Sequence, residues 1–190
     1  MKTLFVLAAI VTLVAVLFGP SKLSAQATLC KPGTLPPELQ KRLAEEYSTW
    51  NIQQVTSLSQ SAKTRWQDER PLECPGVAAG RFEDAQRISY AVLVVPKKDP
   101  GTAYKLLIFT PGVDPSLGTL TVVDQWSRGG AANYFIRGIR VSRFFSPEWV
   151  RRLHVKVKEG ILFVDAGKSE YEADVYYWAD GQYRHEPIDE

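Results

Sequence analysis

Few residues in this chain are of a type that does chemistry. There are two histidines, His154 and His185. Either would serve as a general base only beside a carboxylate. A hydrolase without a recognisable motif, built on one of them, is therefore one reading. The other is a pair of solvated strand residues: His154 alternates with lysines, and His185 lies near the C-terminus. A metal held by both would need their strands to be neighbours, and no metal or cofactor is expected. The chain has no G-x-S-x-G, S-x-x-K, H-E-x-x-H, C-x-x-C or G-x-G-x-x-G. Gly167-Lys168-Ser169 is like the end of a phosphate-binding loop, but Leu162 stands where that loop needs its first glycine. The segment also falls between two strands, so no nucleotide is expected.

The two cysteines, Cys30 and Cys74, have no histidine close in sequence to activate them. One disulfide is the simplest use of them in an oxidising compartment. Closing a loop of about 45 residues is worth roughly 4 kcal/mol in the chain-entropy model. A lipid on Cys30 is the rival, but a lipobox needs a small residue before the cysteine and Leu29 stands there. Residues 1–27 read as an export signal. Lys2 starts it, Leu4–Phe18 is apolar or small throughout, and Ala25-Gln26-Ala27 is a small-x-small cleavage site. The apolar run falls short of the ~20 residues of a membrane span. An extracytoplasmic protein, periplasmic or secreted, is expected, with no stable membrane span after cleavage.

Residues 28–190 are then one domain, long enough to bury a core. Of the 23 basic residues, Lys2 and Lys22 fall in the export segment, which has no acid. The remaining 21 balance the 21 acidic residues. A strongly basic nucleic-acid-binding protein is excluded on that count, and a disordered acidic chain by the 45% hydrophobic content. Charge is nevertheless uneven. Arg137–Lys158 holds seven Lys or Arg and one acid, whereas Asp165–Glu190 holds eight acids against Lys168 and Arg184. Either the basic stretch meets an anionic partner, or the two stretches neutralise each other across one sheet.

Aromatic residues crowd the middle: Trp126, Tyr134, Phe135, Phe144, Phe145 and Trp149. They are core for a sheet packed on helices, or a platform beside the Gly-rich loop Ser127–Asn133. Loops carry binding more often than strands do. The candidate binding surface is therefore Trp126, Arg128 and Tyr134, with Arg137 and Arg140 as a positive rim. The partner would be another protein or an envelope glycan, and the role binding rather than catalysis.

Two N-terminal helices are predicted. Leu39, Leu43 and Tyr47 recur every four residues behind Pro36-Pro37, giving one over 37–48. The second covers 57–69, including Ala62 and Trp66. Strand signals follow. Tyr90–Val95 and Ala103–Phe109 are apolar runs around the turn Lys97–Gly101. Leu120–Val123 and Tyr134–Val141 come next, with a short helical turn at Pro147–Arg152. Leu153, Val155 and Val157 alternate with basic residues as a half-buried strand. Ile161–Asp165, Tyr171–Trp178 and Gln182–His185 complete the set, the last two joined at Asp180-Gly181. The expected class is α+β: two N-terminal helices packed on a large antiparallel β-meander of seven or eight strands.

Two stretches carry a resemblance. Cys74-Pro75-Gly76-Val77-Ala78-Ala79-Gly80-Arg81-Phe82, followed by Tyr90-Ala91-Val92-Leu93, resembles the FG-GAP/VCBS-like unit of uncharacterised secreted bacterial proteins. Tyr176-Tyr177-Trp178-Ala179-Asp180-Gly181-Gln182-Tyr183 is similar to the terminal aromatic hairpin of such proteins. The resemblance implies a binding or scaffold role. It also implies a calcium loop whose ligands would fall at Arg81, Glu83, Ala85 and Ser89. A cation, a methyl and a hydroxyl at three of those positions leave too few carboxylates for calcium, so the loop is expected to keep its shape without metal.

Overall fold

The computed structural model describes Cys30 and residues 34–69, 73–114, 118–152, 155, 157–168 and 172–189. The expected export segment lies outside the described residues, as do Leu153, His154 and Lys156.

Helix α1 (Pro37–Glu46) opens on proline, whose missing N–H costs nothing in a first turn. Its Leu39 is fully buried, and Leu43 and Tyr47 pack alongside on the same stripe. Helix α2 (Gln60–Glu69) starts later than position 57. Ser57 instead ends a 3₁₀ turn, Val55–Ser57, and its hydroxyl accepts the Gln54 N–H at 3.0 Å. Ala62 and Trp66, one helical turn apart, are both fully buried. A third helix, α3, covers Pro147–Arg152.

Among the described residues nine strands form two antiparallel sheets. The first has five: β1 (Trp50–Ile52), β2 (Val77–Gly80), β3 (Ser89–Pro96), β4 (Tyr104–Thr110) and β5 (Thr119–Trp126). Its order is β1-β3-β4-β5, with β2 beside β1 on the same edge of β3. The second sheet is the meander β6 (Tyr134–Arg140), β7 (Glu159–Asp165), β8 (Glu172–Ala179) and β9 (Gln182–Asp189). Asp180 (φ 51°) and Gly181 (φ 79°) supply the left-handed turn between β8 and β9.

The sheets pack face to face. Ala91, Leu93, Leu106 and Ile108 of the first meet Ile136, Ile161, Phe163 and Tyr176 of the second. The opposite face of sheet one, with Val92, Val94, Leu107 and Phe109, lies under α1. The opposite face of sheet two, with Phe135, Leu162, Val164, Val175 and Tyr177, lies under Trp66 of α2 and Trp149 of α3. Strands covered on both faces read as unbroken apolar runs, which is why β3, β4 and β7 do. Each large side chain so buried contributes ~1.5–3 kcal/mol.

This four-layer arrangement corrects the expectation of one meander with both helices on it. The meander breaks after β5, where Ser127–Asn133 carries the chain from one sheet to the other. Gly129 (φ 88°) and Gly130 (φ 84°) allow the crossing. The N–H groups of Gly129 and Ala131 donate to Thr102 and Gly101 at the β3–β4 turn. Short turns specify antiparallel neighbours but not where a meander folds over itself. The alternation over 153–158 is also corrected: the described positions Val155, Val157 and Lys158 are not strand, and β7 begins at Glu159. Val157 is buried all the same.

One corner joins both sheets to the disulfide. Cys30 and Cys74 are bonded, with their Cα atoms 5.0 Å apart. The next two residues bond to different sheets. Pro75 O accepts the Ile136 N–H of β6, and Gly76 O accepts the Leu93 N–H of β3. A Cβ on Gly76 would stand 2.6 Å from Gln53 O and 2.8 Å from Gln53 N, so only glycine fits. Gln53 is itself fully buried. Its Nε2 donates to Ala131 O and Tyr134 O, at 3.1 and 3.2 Å, and its Oε1 lies 2.9 Å from the Ser57 hydroxyl.

The bridge spans 44 positions, so breaking it frees the unfolded chain by about 4 kcal/mol in the chain-entropy model. Denaturant titration of oxidised against reduced protein should show a loss of that order. No measurable difference would contradict a structural role for the bridge.

Candidate binding cleft

A β-bulge builds the most distinctive site. Strand β5 pairs with β4 as Leu107↔Val122 and then Leu106↔Asp124, so Val123 is the extra residue. Without it, Gln125 would face Tyr104. With it, Trp126 stands opposite Tyr104, and Asp124 turns to the face that meets sheet two. Asp124 Oδ2 accepts two phenols there: Tyr104 of β4 at 3.0 Å and Tyr176 of β8 at 2.7 Å. One carboxylate thus ties the two sheets.

Beside this tie a cleft of about 250 Å³ opens between the sheets. Tyr104, Tyr134 and Phe163 form its aromatic wall, with ring centroids 5.0–5.1 Å apart. Trp126 stands at the rim, 43% exposed. Its indole N–H donates to Gly129 O at 3.0 Å, fixing the ring to the crossing loop. The other wall is acidic. Asp165, Glu172 and Asp174 line it, with Lys168 ion-paired to Glu172.

Burial pushes the Tyr104 and Tyr176 phenols far above their usual 10, and the Asp124 carboxylate adds to both shifts. Tyr134 is pushed up to about 12 by burial and by Asp165, to which it hydrogen bonds. These phenols are held neutral as donors and are poor nucleophiles.

Of the sequence candidates, Trp126, Arg128 and Tyr134 come together. The Arg128 guanidinium lies 5.6 Å over the Trp126 ring, and Tyr134 lines the cleft with Trp126. Arg137 and Arg140 do not form their rim, which corrects that expectation. Arg140 ends the strand that Tyr134 begins, about 20 Å away at ~3.4 Å per residue. Arg137 points to α2 and pairs with Glu69 at 2.6 Å. A strand carries its residues apart, where the sequence alone shows them as near neighbours. Of the other aromatics, Phe135 is core, and Phe144, Phe145 and Trp149 pack against α2's side of sheet two.

Reasoning from sequence missed Asp124, Tyr104, Phe163, Asp165 and Asp174. Their signal was faint: a carboxylate inside an otherwise strand-like run, and tyrosines at the ends of apolar ones. His154 lies outside the described residues. His185 stacks on Tyr176, ring centroids 5.2 Å apart, with Nδ1 3.5 Å from Asp174 Oδ1. Its side chain is 60% exposed.

In the loop that carries the FG-GAP/VCBS-like resemblance, Phe82 is fully buried. Glu83 accepts the Tyr183 phenol at 2.9 Å, joining the two resembling stretches. Asp84 accepts the Gln86 N–H and pairs with Arg87, and these hold its carboxyl below the usual range. Among the described residues no group of three or more His, Cys, Asp or Glu is placed to hold a metal. No helix there is long and apolar enough to cross a membrane. No family model, curated protein or solved structure matches the chain.

The raised phenols make stability fall with alkali. Folding is favoured below the unfolded value of about 10, and that contribution is lost as pH climbs through the folded values, for Tyr134 about 12. Urea midpoints should therefore drop progressively above pH ~10. Phenolate absorbance should show Tyr104, Tyr134 and Tyr176, and Tyr183, which burial and Glu83 also push up, ionising well above 10 or as the protein unfolds. Ionisation of every tyrosine near 10 with the fold intact would contradict these environments.

Proposed function

We propose that this chain is an exported, non-catalytic binding protein that works outside the cytoplasm, in the periplasm or beyond the cell. The Trp126–Tyr134 cleft receives its partner, either another protein or an envelope glycan. One observation carries the reading: a bulge places an exposed tryptophan at the rim of a ring-lined cleft. Rings presented on rigid strands offer a sugar face or a partner side chain a large contact at little entropic cost. The acidic wall supplies acceptors for hydroxyl, amine or guanidinium donors. The Cys30–Cys74 bond is compatible with an oxidising compartment. A scaffold or binding role is also what the FG-GAP/VCBS-like resemblance implies.

Less supports a hydrolase using His154 or His185. His185 has a carboxylate beside it but stands open to solvent on β9. Among the described residues no Ser, Thr or Cys side chain hydrogen bonds to it.

Trp126 separates a binding site from a structural one. As a half-exposed ring it should be removable with little loss of stability. Trp126→Ala should weaken partner binding by about 2 kcal/mol or more and leave the melting temperature near that of the parent. The partner is to be captured from an extracytoplasmic extract and its affinity measured for both proteins. A destabilisation of about 3–5 kcal/mol, or unchanged affinity, would refute the assignment.

A further inference from the structure

The far end of β6 carries a second cleft of opposite character. It has a volume of about 430 Å³ and opens where β6 runs past β2. Arg137, Arg140, Arg143 and Ser142 line it. Among the described residues Glu159 is the only carboxylate in the lining, and its Oε2 already accepts the Arg81 N–H at 2.5 Å. Glu69 holds Arg137 from the α2 side. Glu159 stands across the ladder from Arg140, but among the described residues no carboxylate forms an ion pair with Arg140 or Arg143, and the Arg143 guanidinium rests 5.8 Å over the Phe144 ring.

The topology keeps the acidic residues of the last two strands away from this charge. Glu172, Asp174, Asp180 and Glu186 belong to β8, β9 and the turn between them, and β7 separates that pair from β6. At ~4.8 Å per strand they stand about 10 Å or more away, roughly a Debye length at physiological salt. The uneven charge of the sequence therefore becomes a separation across one sheet.

We propose that this arginine cleft binds an oxyanion, a phosphate or carboxylate carried on a sugar-sized organic molecule. Guanidinium groups offer planar, paired donors that match such oxyanions, and among the described residues the three cations lining the cleft are all arginines. The Ser142 hydroxyl adds a donor beside them. The volume lies in the range of organic ligands rather than a bare ion. Gly138, between Arg137 and Arg140, gives an independent sign. A Cβ there would meet only Ala79 O, at an ordinary 3.4 Å, and its φ is not left-handed. The fold does not need a glycine at this position, but an open cleft does. The site shares no lining residue with the Trp126 cleft and stands independently of it.

Calorimetry on the oxidised protein tests this with glucose 6-phosphate, galacturonate, polygalacturonate, inorganic phosphate and glucose. The two acidic sugars should bind, more weakly as salt rises, glucose should not bind, and inorganic phosphate should bind less tightly than glucose 6-phosphate. Tighter binding of polygalacturonate than of galacturonate would mark a glycan as the source of the oxyanion, and the reverse order a free acidic sugar. R140A/R143A should lose at least about tenfold in affinity with an unchanged melting temperature. Gly138→Val should fold and block the same ligands by filling the cleft. Trp126→Ala should leave this binding intact, so failure here and failure of the Trp126 cleft are read separately. The proposal is overturned if no acidic sugar binds or if both cleft variants bind like the parent. It is equally overturned if inorganic phosphate binds as tightly as the phosphosugar, or if only phosphatidylglycerol vesicles are bound.

Discussion

The amide of Gln53 is the interaction on which the two halves of this protein depend. It sits fully buried where sheet one, sheet two and the disulfide corner meet. Its backbone N–H donates to Leu93 of β3, and its side-chain N–H groups reach Ala131 and Tyr134 at the start of β6. Ala131 O also accepts the Tyr134 N–H, and the two amide bonds together hold the crossing segment to Gln53, since a buried carbonyl without a donor costs ~1–3 kcal/mol. Gly76 must be glycine because the Gln53 backbone approaches too closely for a side chain. The disulfide then anchors the same corner through Cys74.

From that corner the cleft follows. Holding Tyr134 against sheet one brings the aromatic ends of β4 and β6 together, with Phe163 of β7 between them. The bulge at Val123 does the remaining work, turning Asp124 inward to receive phenols from both sheets and setting Trp126 at the rim. Structure and site share these groups. Asp124 ties the sheets through Tyr104, which also lines the cleft, and the crossing loop fixes the Trp126 indole while its ring faces outward. The polar tie lies at the end of the sandwich, and the middle of the interface is apolar.

Much of the secondary structure was legible in the sequence, because it rests on local signals. Pro36-Pro37 marks the start of α1, Asp180-Gly181 marks the last hairpin, and the apolar runs mark β3, β4 and β7. The cysteine pair was legible too, from number and context. The division into two sheets was not. Ser127–Asn133 reads as one more hairpin loop, and only long-range contacts to Gly101, Thr102 and Gln53 show that it changes sheet. Strands β1 and β2 escaped notice because three- and four-residue segments carry too little pattern. For the site, Trp126, Arg128 and Tyr134 were legible as an aromatic-flanked loop. Their acidic neighbours were not, since a bulge shifts by one residue the face each side chain takes. The basic segment was visible as composition. Its separation from the acidic strands depends on strand order, which composition does not encode.

If one buried amide joins the sheets, removing it must be felt by the whole domain. Gln53→Leu keeps the volume nearly constant and deletes the donors to Ala131 and Tyr134. Denaturant unfolding of this variant is the most direct measurement. Ala131 O keeps the Tyr134 N–H and the Ser57 hydroxyl keeps Gln54 O, so the lost amide bonds, above all the one to Tyr134 O, predict a loss of about 1–3 kcal/mol, in a single cooperative transition. A loss below about 0.5 kcal/mol, the scale of an ordinary surface change, would contradict the account.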